Sequence, residues 1–290
     1  MNRQRLARLV WIGVLTLPLL GCRVPARLSS AQRMERGLVV VLPGIEGRSV
    51  FNRNIALGLD DGGIQSAIEI FDWTSRIPGA FITNLSAYDR NRRQARKLAD
   101  RIRRYSEAYP DNPVHLIGHS GGGGIAVMTL EALPPESNIV DMVILLAPAL
   151  SPRYNLVTAL RRTRRGVMSF YSKYDVSLLT VGTTVFGPID REHGPAAGAV
   201  GFRVPPGLSR AERTLYDMRL KQIRWTPRLR RYGASGTHLG WAGRKFAREY
   251  LARFVNENEI ARARDVARRR AREREEADAD LDASDGSRLE

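Results

Sequence analysis

The chain has 290 residues, 43% of them hydrophobic, which is enough for one domain of about 250 residues with a sizeable core and short appendages. Its formal net charge is +16, and 42 of its 46 basic residues are arginine. The single cysteine, Cys22, excludes an intramolecular disulfide. The arginines run along the whole chain and are not gathered into one block with interleaved aromatics, so they read as solvated faces and give no specific nucleic-acid surface. Anionic lipid or glycan remains an electrostatically favourable partner.

In chain order, Arg3, Arg5 and Arg8 precede the uncharged apolar run 9–20, the pattern of an export signal. The run is too short for the roughly 20 residues that a membrane-spanning helix needs. It ends in Leu19-Leu20-Gly21-Cys22, which resembles the bacterial lipobox. That resemblance implies cleavage before Cys22, diacylation of that cysteine, and a mature protein anchored by lipid to the bacterial cell envelope. The alternative is a secretory peptide cleaved elsewhere, leaving a stray thiol. Residues 22–36, with Pro25 and many polar side chains, read as a tether between residues 1–21 and a domain over 37–258.

Leu38-Val39-Val40-Val41-Leu42 is a continuous apolar run that stops at Pro43-Gly44, the signature of a strand buried on both faces. After a segment around Ile55–Leu59 and the turn signal at 60–63, residues 67–71 read as a second strand. Ser86 and Asp89 suggest a capping box for a helix with Tyr88, Ala95, Leu98, Ala99, Ile102 and Tyr105 on one face. Residues 114–117, 141–147 and 167–171 are further strands, and 125–132 a helix. Residues 201–232 give no clear assignment. Beyond 258 the chain loses its large apolar residues and reads as a charged tail over 259–290, a solvated helix fading out. Strands alternating with helices predict a mostly parallel, doubly wound α/β sheet, with chemistry just beyond the carboxyl ends of the strands.

Gly118-His119-Ser120-Gly121-Gly122 lies at such an end and fits G-x-S-x-G, with a strand before it and a helix after it. A phosphate-binding loop would need a lysine after the glycines, and none follows. A serine hydroxyl attacks only when a base takes its proton, so a carboxylate and then a histidine are expected downstream. His115 falls inside a strand and His119 is the variable residue of the pentapeptide, which leaves His193 and His238. His238, in Gly236-Thr237-His238-Leu239-Gly240-Trp241 before an amphipathic helix, is the candidate base. Asp175 follows the strand 167–171 and is the candidate acid, with Asp190 and Glu192 as rivals. The amide of Gly121, with that of Ile45 or of Gly44 after the first strand, would form the oxyanion hole. Trp73, Ile77, Phe81 and Ile82 are candidate walls of an acyl pocket or simply core.

The segments LVVVLPGIEG, VHLIGHSGGG, SFYSKYD and GTHLGW, spread over about 37–256, resemble the α/β-hydrolase family. The resemblance implies an eight-stranded α/β-hydrolase fold and ester hydrolysis through an acyl-enzyme intermediate, with no cofactor and no metal, on a small-molecule or lipid ester. Two departures stand out: a long separation between Asp175 and His238, and a segment 151–165 with room for only a minimal cap. A function of another class would be a non-catalytic envelope lipoprotein that binds an anionic polymer through its arginines. The sequence leaves the oligomeric state open.

Overall fold

A computed structural model describes residues 24–75, 84, 86–135, 137, 139–175, 189 and 194–286, with side chains to residue 276. Among them six strands form one wholly parallel sheet in the order β2-β1-β3-β4-β5-β6. The strands are β1 (Leu38–Leu42), β2 (Ala67–Ile70), β3 (Val114–His119), β4 (Met142–Leu146), β5 (Val167–Tyr171) and β6 (Leu220–Arg224). The apolar run of β1 is continuous because both its faces are covered. Leu38, Val40 and Leu42 enter one core and Val39 and Val41 the other. Numbering helices of five or more residues, α1 is Val50–Asp61, α2 Tyr88–Ala108, α3 Gly121–Ala132, α4 Val157–Arg161 and α5 Arg210–Arg219. A last helical run begins at Arg244, passes through a π turn at Ala247–Leu251 and continues as α6 (Ala252–Gly286). Helices α2 and α3 fill one face with Leu98, Ile102 and Ile125. Helix α1 and the last helical run fill the other with Ile55, Leu59, Phe246 and Val255. This is the doubly wound arrangement of the α/β-hydrolase fold, and between β4 and β5 it carries only the short α4.

Several local expectations are revised. Residues 24–36 are docked, because Leu28 is fully buried in the core and Arg27 and Arg33 both pair with Asp60. Helix α2 starts from Ala87 with no side-chain cap, while Asp89 lies in its first turn. Capping boxes stand instead at Ser49 with Asn52 and at Ser209 with Glu212. The unassigned stretch 201–232 holds α5 and β6, so much of the distance between Asp175 and His238 is the crossover to the last strand. Beyond residue 258 the helix continues, and Arg262 is held down by the carbonyls of Pro110 and Asp111.

Helix α1 meets the last helical run through two glycines. A Cβ on Gly58 would stand 2.6 Å from Ala247 Cβ, and one on Gly62 would stand 2.8 Å from the Arg248 carbonyl oxygen. The backbones therefore approach to a distance that alanine would not permit.

Candidate active site

The sheet order places a switch point between β1 and β3. The chain leaves β1 toward β2 on one side and returns as β3 on the other. Loops diverge there, which opens a crevice at the carboxyl ends of the two strands. The loop 43–49 enters that crevice from β1, and Ser120 enters it from β3.

Ser120 stands between β3 and α3 with φ 54° and ψ −122°. Among described non-glycine residues only Ser120 and Ala147 have positive φ, and both lie at this end of the sheet. Such a conformation costs on the order of 1–3 kcal/mol and persists only where the surroundings over-determine it. Here the Ser120 amide donates to the Leu146 carbonyl (2.9 Å), and the Ser120 carbonyl accepts from the amides of Gly123 (3.0 Å) and Ala149 (3.1 Å). The glycines make the turn possible. A Cβ on Gly118 would lie 2.5 Å from the Gly122 carbonyl oxygen, and one on Gly122 would lie 2.7 Å from the Leu42 carbonyl carbon. Helix α3 consequently starts at Gly121 and not after the glycine run, with its first turn pressed against the end of β1.

The structure brings Asp175 to His238 across 63 residues of chain, with Nδ1 of the imidazole 2.8 Å from Oδ1 of the carboxylate. Both side chains are buried. Asp175 is presented by a tight turn after β5, in which its amide donates to the Ser172 carbonyl and the Tyr174 amide to Ser172 Oγ. His238 opens a short 3-10 turn whose Trp241 is fully buried against Phe170 of β5, the rings 5.5 Å apart. Aromatic packing thus sets the histidine loop onto the strand that ends at the acid. A carboxylate can only accept, so Nδ1 carries the proton and Nε2 is left with its lone pair. Ser120 Oγ and His238 Nε2 are both buried and neither has a hydrogen-bond partner among the described residues. The two ring nitrogens of the base are therefore already divided into an oriented donor and a free acceptor.

His119 packs beside the pair. Its ring centroid is 4.9 Å from that of His238, and its Nε2 donates to the His238 carbonyl at 3.0 Å. Burial, and then the neighbouring imidazole, push its pKa down to about 3, so it is a neutral brace.

Loop 43–49 has its carbonyls pinned. Trp73 Nε1 donates to Pro43 O (2.7 Å), Gly47 N to Gly44 O (3.1 Å), Asn84 Nδ2 to Ile45 O (3.0 Å) and Asn52 Nδ2 to Gly47 O (2.8 Å). The amides of Ile45 and Gly121 donate to no acceptor among the described residues. The two residues adjoin, since a Cβ on Gly121 would meet Ile45 Cγ2 at 3.0 Å and Trp73 Cζ2 at 3.1 Å. Trp73 is fully buried and serves as the wall under this loop, while Ile77, Phe81 and Ile82 lie outside the described residues. The same holds for Asp190, Glu192, His193 and Cys22.

Glu46 was not anticipated from the sequence. Its carboxyl folds back over Gly44 and accepts from Ser49 Oγ at 3.2 Å. Burial raises its pKa above the usual carboxylate range, opposed by hydrogen bonds from its own amide and from Ser49 and by the charge of His238. Among the described residues no group of three or more His, Cys, Asp or Glu side chains is placed to hold a metal ion. A groove of about 550 Å³ lies far from this crevice, under α6 at the amino ends of the strands, lined by Arg36, Asp111, Glu259 and Arg270 among others.

A parallel sheet with a strained serine at the end of a central strand, and a histidine and carboxylate from later loops, defines the α/β-hydrolase class. Residues 51–200 match the family model described as alpha/beta hydrolase of unknown function (DUF900), and the chain belongs to that family. Among solved structures it is similar to Aspergillus fumigatus lipase B, at 14% identity and a TM-score of 0.47, covering 79% of this chain and 54% of that one. It thus spans about half the length of that lipase. It is also similar to the surfactin thioesterase domain SrfTE, at 14% identity and a TM-score of 0.36, covering 77% of this chain and 90% of that one. Likenesses this distant carry no conclusion about substrate. A comparison with curated proteins gives no match.

Proposed function

We propose that the protein is a serine hydrolase cleaving carboxylic esters. The observation that carries this reading is the oriented Asp175–His238 pair, with a free Nε2, at the same sheet end as the strained Ser120. Ser120 Oγ attacks the acyl carbon while its proton passes to His238 Nε2. The resulting imidazolium gives that proton to the departing alkoxide, and water repeats the sequence to release the acid. Asp175 holds the tautomer and faces the imidazolium charge. The amides of Gly121 and Ile45 supply two donors for the oxyanion, with Gly44 the alternative in the loop.

The test is labelling by a fluorophosphonate probe, together with turnover of acyl esters graded in chain length. Wild-type protein should be modified at Ser120 and hydrolyse part of the panel, and Ser120→Ala should do neither. A wild-type chain inert in both assays would refute the reading and favour a non-catalytic scaffold. Export and acylation at Cys22 are proposed on the residue pattern 1–22 alone, and with them a lipid or envelope ester as substrate. Mass spectrometry of the protein from its own host should find a diacylated Cys22 as the first residue, and an unmodified thiol there would overturn the anchor.

A further inference from the structure

Arginines scattered along the sequence are brought together with aromatic rings at one edge of the fold. Strand β6 is the outer strand of the sheet, and its Lys221 and Arg224 are exposed. Beyond its carboxyl end the chain passes through Trp225 into a 3-10 turn, Pro227–Tyr232, that exposes Arg228, Arg230 and Arg231. The rings of this edge carry cations on their faces. Lys173 lies 5.0 Å from the centre of the Tyr174 ring, Arg230 5.4 Å from Trp225, and Arg231 4.7 Å from Tyr232. Arg253 lies 4.1 Å from Tyr250 and 4.7 Å from Phe254. The rings also meet one another, Tyr174 with Trp225 at 5.4 Å and Tyr232 with Tyr250 at 4.9 Å. Close by, Arg244 and Arg248 close on Asp61 and Glu249. The cations of this edge meet no carboxylate among the described residues, so π faces hold them and their charge stays uncompensated.

This edge runs into the mouth of the candidate site. Tyr174 precedes Asp175, and Trp225 underlies the histidine loop, since a Cβ on Gly236 would stand 2.7 Å from its indole. Leu239 follows His238. Tyr174 and Leu239 are 50% and 46% exposed, and they flank the Asp175–His238 pair joined at 2.8 Å. We propose that this edge is a docking surface for an anionic phospholipid bilayer. Its cations lie against headgroup phosphates while Tyr174 and Leu239 enter the interface, so that the crevice opens onto esters at headgroup level. Only the delivery of an ester to Ser120 rests on the serine-hydrolase reading above. Single-stranded nucleic acid also takes cations interleaved with rings, but its bases need open ring faces on which to stack. Here those faces are occupied by the protein's own cations. A lipid surface asks instead for an unpaired positive charge beside an apolar tip, and this edge presents both.

The experiment is cosedimentation of the full-length Ser120→Ala chain with vesicles of phosphatidylcholine, alone or with about one third phosphatidylglycerol, at low salt and at about 0.5 M salt. The Ser120→Ala background keeps turnover out of the measurement, so the result is independent of whether the wild-type chain hydrolyses esters. Residues 1–22 are common to every chain compared, and their own membrane affinity cancels. Arg228→Gln/Arg230→Gln/Arg231→Gln is set against Arg93→Gln/Arg96→Gln/Arg104→Gln, which removes the same charge from the exposed side of α2. Urea midpoints establish that the variants are folded. The parent chain should bind the anionic vesicles at least about tenfold more tightly than the neutral ones at low salt, and lose that preference at high salt. The triple substitution in the turn after β6 should weaken anionic binding by about tenfold or more, and the one on α2 by less than about twofold. Tyr174→Ser/Leu239→Ser should weaken binding by about tenfold at either salt. The proposal is overturned if the parent chain does not distinguish the two vesicles, if both triple substitutions weaken binding equally, or if Tyr174→Ser/Leu239→Ser binds as the parent does. Tighter binding of a single-stranded oligonucleotide than of anionic vesicles would overturn it in favour of a nucleic-acid surface.

Discussion

Replacing Gly122 by alanine adds one methyl group at the place where α3 touches the end of β1. The new carbon would stand 2.7 Å from the Leu42 carbonyl carbon, with the oxygens of Leu42 and Pro43 closer still. Ordinary carbon contacts need about 3.5–4.0 Å, so helix and strand must separate by roughly 1 Å. All the obstructing atoms are backbone, and no side chain can rotate away. Alanine is the better helix former by about 1 kcal/mol, which partly offsets an overpacking cost of about 1–3 kcal/mol. The net loss of stability should be about 0–2 kcal/mol, small enough to leave the protein folded. Activity should suffer more. Ser120 and Gly121 ride on α3 and Ile45 on the loop after β1, so the same 1 Å opens the gap between nucleophile and oxyanion donors. A misplacement of that size can cost on the order of 10²-fold in rate. Steady-state kcat/KM on an acyl ester, fluorophosphonate labelling and urea denaturation would be measured together. Gly123→Ala is the control, since its added carbon's nearest neighbours are Pro148 Cβ at 3.1 Å, Pro148 Cα at 3.3 Å and Leu145 Cδ2 at 3.6 Å, with no carbonyl oxygen among them. If Gly122→Ala retained kcat/KM within twofold of wild type, the steric reading of the turn would be wrong.

Two further outcomes follow from the buried polar groups. Trp73→Phe removes the indole donor to Pro43 O and leaves that carbonyl without its partner, at a cost of about 1–3 kcal/mol in the urea-derived stability. Because the loosened loop carries the proposed oxyanion donor, kcat should fall with KM little changed, and an unaltered kcat would count against that assignment. His115 is fully buried in β3 with neither ring nitrogen bonded, and burial pushes its pKa down from 6.5 to about 4. The unfolded chain takes up a proton below about pH 6.5 that the native chain refuses until about pH 4, so the stabilisation is complete above 6.5 and lost as pH falls between those values, by about 3 kcal/mol. His115→Leu should flatten the urea midpoint across that window, and an unchanged slope would assign the acid sensitivity elsewhere.

The serine turn was legible in the sequence because three local signals coincide there: a buried strand, clustered glycines, and a helix that tolerates no side chain at its start. Asp175 was legible because it follows β5 by one tight turn. Strand β6 was not, since an edge strand reading Leu-Lys-Gln-Ile-Arg exposes its charged residues and shows no apolar run. The docking of residues 24–36 hinges on one side chain, Leu28, in a polar neighbourhood, too little for a periodic signal. The expected eight strands are six among the described residues. Glu46 and Asn84 were invisible for another reason. Their positions in the crevice depend on which loops the sheet order brings together, and nothing local to Pro-Gly-Ile-Glu-Gly marks a carboxyl that will turn back on its own loop.

The glycine seam between α1 and the last helical run has a mechanical consequence. Helix α1 is capped by Ser49, where the loop bearing Ile45 and Glu46 ends, and Arg244 stands six residues beyond His238. Gly58 and Gly62 bring these two helices together with only the methyl groups of Ala247 and Ala252 between the backbones. The loops that would hold the oxyanion and the imidazole, nearly 200 residues apart in the chain, are thus the ends of one rigid truss. Thermal motion should carry them together, so their spacing would stay constant while the outer helices breathe. A bulkier residue in the seam would be felt in the reaction rate before it was felt in the fold.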